Sequence, residues 1–142
     1  MVGYIEGEFI PSDEDIAEKP FDPSVPIPFR LNRGALPSGS FRDNELHITL
    51  DRDRSDPALL ACLKEMGFFS GYLPKSYGTA QVLTVQGSHR DIGAIKPAVL
   101  RFLRLAGGSQ RCSVKEERIV KWWVSSPTLA LPPVIQDIRW AA

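Results

Sequence analysis

The stretch ELHITLDRDRSDPALLACLKEMG, residues 45–67, changes its hydrophobic period halfway along. Over Leu46–Arg52 the period is two. Leu46, Ile48 and Leu50 point one way, and His47, Thr49 and Asp51 the other, because successive side chains of an extended chain alternate. That alternation predicts a strand with one buried face. From Asp56 onward the period lengthens to that of a helix. Leu59, Leu63 and Met66 fall on one stripe, with Leu60 beside it. Asp56 is placed to cap the first turn with its carboxylate, and Pro57 suits the first helical position, where no amide is needed. Gly67 suits the position just past the helix end. A strand that hands directly to a helix puts both kinds of element into one unit.

The pattern repeats toward the C-terminus. FFSGYLPKSYG (68–78) reads as a turn-rich connection with its aromatics Phe68, Phe69, Tyr72 and Tyr77 against the body. AQVLTVQG (80–87) predicts a second strand, and Val82, Leu83 and Val85 break the alternation as a strand covered on both faces does. SHRDIGAIKPAVLRFLRLAGG predicts a second helix. Its buried stripe is Ile92, Ile95, Val99, Phe102 and Ala106, with a capping-box-like pair Ser88 and Asp91 at its start and Gly107–Gly108 at its end. Pro97 lies inside that pattern and predicts a kink or a later start. CSVKEERIVKWWVSS (112–126) predicts a third, long strand, with a bulge or a twist near Glu116 and Glu117, which interrupt the alternation.

Six of the twelve prolines fall in residues 1–40 and exclude long helices and central strands there. Short strands are expected at Tyr4–Ile10 and Pro28–Asn32, with an acidic loop between them. The organisation expected is an acidic, Pro-rich N-terminal arm (1–44), a βαβαβ body (45–126) and an extended C-terminal tail (127–142). The fold class expected is α+β: a ferredoxin-like βαβαβ sandwich with two helices on one face of a mixed sheet of three to five strands, and extended Pro-rich arms. Each strand–helix–strand step is expected to be a right-handed crossover.

The bulk properties bound the function. The chain has 142 residues, 17 basic and 17 acidic, for zero formal net charge. A sequence-independent grip on nucleic acid needs an excess of cations, so nucleic acid is not an expected partner. Residues 1–24 carry seven acids against Lys19 alone, so the arm is acidic and the remainder basic. Cys62 and Cys112 form no CxxC pair and sit in apolar stretches, as small buried thiols of a reducing compartment do. No run of 18 apolar residues exists and MVGYIEGEF does not resemble a secretory leader, so a cytoplasmic protein with no membrane partner is expected.

Three stretches carry candidate chemistry. His47-Ile48-Thr49-Leu50 resembles the H-Φ-[ST]-Φ motif of the 2H phosphoesterases. That resemblance implies His47 as an acid–base group and Thr49 as a phosphate-holding hydroxyl. The family pairs two such motifs across a cleft, and the second histidine here, His89, is followed by Asp91 where Ser or Thr belongs. A two-histidine mechanism therefore lacks half its parts. The alternative is an ordinary strand with a polar face. VQGSHRD places Gly87, Ser88 and Arg90 at a strand-to-helix turn, where free amides suit an anion. The alternative there is a plain cap. In KEERIVKWW, Ile119, Lys121 and the Trp122–Trp123 pair offer an anchor on an open sheet face. Two histidines forty-two positions apart suggest no metal site, and no cofactor is expected. The leading expectation is a non-enzymatic binding or assembly module that docks a second copy (a homodimer) or another protein through Ile119, Lys121, Trp122 and Trp123. The other is a sensor or enzyme for a small-molecule phosphate or carboxylate using His47, Thr49, Gly87, Ser88 and Arg90.

Overall fold

A computed structural model of the chain describes residues 4–9, 14–34, 44–70, 78–123 and 133–141; the side chains of 4–9, 14–15 and 120–123 fall outside that description. The fold is α+β, with two helices on a mixed sheet. In chain order the elements are β1 (Tyr4–Phe9), β2 (Glu14–Ile16), β3 (Phe29–Gly34), β4 (Asn44–Asp51), α1 (Pro57–Met66), β5 (Phe69–Ser70), β6 (Ala80–Gly87), α2 (His89–Ala106), β7 (Cys112–Trp123) and β8 (Val134–Trp140). The sheet runs β1-β7-β4-β6-β8-β3, with β2 also paired to β7 and β5 to β6. Every pair is antiparallel except β6 with β8, which meet through Gln86 and Val134.

The local signals act as the sequence implies. The Asp56 carboxylate accepts from the amide of Ala58 at 2.8 Å, and the Ser88 hydroxyl accepts from the amide of Asp91 at 3.0 Å. Gly67 follows α1 at φ 123°, where a side chain is strained, and a Cβ there would stand 2.6 Å from the Cβ of Leu31. Leu46, Ile48 and Leu50 are fully buried in one cluster with Leu59, Leu63 and Met66 of α1 and Ile92, Ile95, Val99 and Phe102 of α2. Both helices therefore cover the same face of the sheet. No helix among the described residues is long and apolar enough to cross a membrane.

Several expectations change. β4 and β6 are antiparallel neighbours, so α1 does not join two parallel strands. The reason is β5, which the turn-rich composition of residues 68–78 conceals. It runs antiparallel to β6, so α1 crosses from β4 to β5 and the chain then reverses. The sheet also exceeds three to five strands. The N-terminal segment supplies β1, β2 and β3, and the C-terminal segment supplies β8. Within the expected acidic loop, Glu14–Ile16 pairs with Val114–Cys112 and buries Ile16. α2 runs unbroken through Pro97. The carbonyl that loses its donor there is that of Gly93, at an exposed position where water can serve it. The pairing of β7 with β4 is regular through Glu116 and Glu117; the irregularity lies a few residues on, where Ile119 and Lys121 meet Gly7 and Glu6. Glu116 occupies a helix-side position because Asn44 Nδ2 donates to it at 2.6 Å and Lys96 Nζ lies 3.6 Å away. Cys62 and Cys112 are both free.

Candidate functional site

The face that the helices leave carries two polar rows across the strands. Side chains directly opposite in paired strands share a face. One row is Phe69, Thr84, His47 and Lys115; the next is Gln86, Glu45 and Glu117. The centre of this face is withdrawn from solvent. Glu45, Thr84 and Gln86 are buried, and Ile119, two residues beyond Glu117, is 2% exposed yet lies outside the helix-side core.

His47 is the hub. Its Nδ1 lies 2.9 Å from the Thr84 hydroxyl, which fixes the ring plane. Its Nε2 faces two carboxylates, 3.6 Å from Glu45 Oε2 and 3.9 Å from Glu117 Oε1. One ligand atom from each of the three residues falls within 4.8 Å of the others. Such a group can hold a cation, bind a protonated imidazole between two anions, or move a proton. Two further polar groups are buried, the first of them on this face. Gln86 is 2% exposed and its Oε1 is buried without a hydrogen-bond partner. Arg33 Nη1 is buried and likewise makes no hydrogen bond. The Arg33 guanidinium sits 5.6 Å from the ring centroid of Phe69, the cross-strand neighbour of Thr84. Arg33 itself pairs with the core residue Ile135, and its neighbour Gly34 pairs with Val134, which also meets Gln86.

The other expected residues lie elsewhere. Gly87, Ser88 and Arg90 stand at the start of α2, on the opposite side of the sheet from His47. The Ser88 hydroxyl is engaged as the cap, and a Cβ at Gly87 would meet Ile135 Cδ1 at 3.2 Å, so close packing accounts for that glycine. His89 lies beside Asn44 and Glu116, not beside His47. Thr49 shares the face of His47, one row further along. Lys121, Trp122 and Trp123 pair with Glu6, Ile5 and Tyr4 of β1, and their side chains lie outside the described set.

Glu45, Glu117, Thr84, Gln86 and Arg33 are the site residues that sequence reasoning passed over. The spacing of Glu45 and His47, two apart on one strand, already places them on one face. Glu117 requires the β4–β7 register, and Arg33 comes from a distant strand. No family model, curated protein or solved structure matches this chain.

Proposed function

We propose that the protein binds a small anionic molecule, a carboxylate or a phosphate ester, at Arg33, beside Phe69. The observation that carries this is the Arg33 guanidinium, whose buried Nη1 makes no hydrogen bond. A buried N–H donor that makes no hydrogen bond costs free energy, and a planar oxyanion supplies the acceptors that the fork of donors fits. The role proposed is binding, since the paired-histidine mechanism that the His47 motif would imply lacks its second histidine. The strand order β7-β4-β6-β5 with helices between supports a ferredoxin-like body in which β5 is a stunted second strand.

Thermal shift and calorimetric titration with inorganic phosphate, citrate and a panel of small carboxylates test this. The wild type is expected to gain stability with at least one anion, and Arg33→Met to lose that gain. A response that survives Arg33→Met would remove the assignment.

Assembly is the second reading. It is favoured by Trp140 (51% exposed) and Leu105 (45% exposed), and by a groove of about 480 Å³ between Val25–Pro28 and α2. Ile119, by contrast, is covered within the chain. Light scattering across a concentration series tests self-association, and a constant monomer mass would end that reading.

A further inference from the structure

We propose that Glu45, His47 and Glu117 hold a divalent first-row metal ion of the zinc or manganese class. This goes beyond the anion at Arg33 and does not depend on it. The three residues are neighbours by construction. Glu45 and His47 stand two apart on β4, and Glu117 is directly across from Glu45 on β7. The separations of 3.6 Å and 3.9 Å from His47 Nε2 to the carboxylate oxygens are too long for hydrogen bonds. They are close to the spacing of two ligands sharing one ion: at about 2.1 Å from a tetrahedral centre, two donors stand about 3.4 Å apart. A shift of a few tenths of an ångström, within side-chain rotation, closes the set.

Two independent features point the same way. Thr84 engages His47 Nδ1 at 2.9 Å. With Nδ1–H donated to that hydroxyl, Nε2 presents a lone pair toward the two carboxylates. Fixing one ring nitrogen so that the other faces the ion is what outer-shell partners do at metal sites. Gln86 is the second feature. It lies across from Glu45 on the other side, on the same face, 2% exposed, with Oε1 making no hydrogen bond. A buried acceptor beside the cluster finds a use as a fourth ligand or as acceptor for a water on the ion. One imidazole with two carboxylates and an amide oxygen is a nitrogen–oxygen donor set, which suits zinc, manganese or iron(II) and not copper(I). Lys115, across from His47, is the neighbouring cation with which an ion would share this face.

The test uses the full chain after chelator treatment, titrated calorimetrically with zinc chloride and, separately, manganese chloride. One ion per chain is expected, with zinc bound more tightly than manganese. Glu117→Gln and His47→Gln should each weaken zinc by at least tenfold while circular dichroism and thermal midpoint stay near the wild type. Thr84→Ala should weaken it roughly tenfold by freeing the ring. His89→Gln and Cys62→Ser should change nothing. Absence of one-to-one binding for both metals by folded protein would overturn the proposal. So would zinc affinity unmoved by Glu117→Gln and His47→Gln. If either substitution prevents folding, cobalt(II) absorption and manganese(II) electron resonance on the wild type decide instead, since ions on oxygen and imidazole differ from ions in water. Because Arg33→Met leaves the three ligands intact, failure of the anion assignment and failure of this one are separable.

Discussion

Two glycines, one within α2 and one at its end, should respond to the same substitution with opposite signs. Gly107 ends the helix at φ 63°, ψ −147°, a conformation that side-chain-bearing residues avoid. A Cβ there would stand 2.6 Å from the Lys19 carbonyl oxygen and 2.9 Å from that of Pro20. The N-terminal segment is strapped over this point: Gly108 donates its amide to Lys19 O at 2.8 Å, Asp22 donates its amide to Ala106 O at 2.7 Å, and Lys19 Nζ donates to Leu105 O at 2.6 Å. Gly107→Ala therefore carries a backbone cost of about 1–3 kcal/mol. Moving the strap away to relieve the contact breaks the two backbone bonds, at about 0.5–1.5 kcal/mol each. The total is roughly 2–6 kcal/mol. At about 2.1 cal/mol/K per residue, a chain of this length loses roughly 3 °C of midpoint per kcal/mol, so the fall is about 7–20 °C. Gly93 is exposed in the second turn of the helix, and a Cβ added there would meet nothing within 4 Å. Gly93→Ala should stabilise by up to about 1 kcal/mol, the helix-propensity difference, or roughly 3 °C. Urea unfolding followed by circular dichroism, with calorimetry for the midpoints, measures both. A Gly107→Ala loss under about 0.5 kcal/mol would refute the strap. A destabilised Gly93→Ala would refute the open helix face.

Other outcomes follow from burial. Leu63, fully buried among both helices and the sheet, should lose about 2–5 kcal/mol as Leu63→Ala, read as a lower urea midpoint at unchanged slope. Burial pushes the Cys112 thiol up to about 12 from 9.0. The folded state thus disfavours the thiolate, and the stabilising contribution is complete below pH 9 and lost as pH rises from there toward 12. The wild type should fall more steeply than Cys112→Ala over that window, by about 1.4 kcal/mol per pH unit; parallel curves would exclude it. Without ligand, Arg33→Met should be at least as stable as the wild type, because it removes a buried donor that makes no hydrogen bond. A loss above about 1 kcal/mol would mean that the guanidinium is already satisfied.

Much of the architecture follows from local pattern. The limits of β6 and both helices come from the change of period, from Asp56 and Ser88, and from the glycines behind them, because these signals act within one turn of chain. The place of Glu45 beside His47 follows from strand alternation alone. What lay beyond local pattern is everything that depends on pairing. Phe69–Ser70 is too short to show a period, yet it turns the β4–β6 step antiparallel. Glu116 reads as a fault in a strand until Asn44 and Lys96, 72 and 20 positions away, are brought to it.

The residues of this chain determined by themselves the limits of β6 and of both helices and the two faces of β4, since those are properties of neighbouring dihedrals and of apolar spacing. Only the tertiary structure decided which strands lie side by side, and hence that Glu117 stands across from Glu45 and that Arg33 is near Phe69. Register is settled by burial of a whole face at once, and no single segment carries that information.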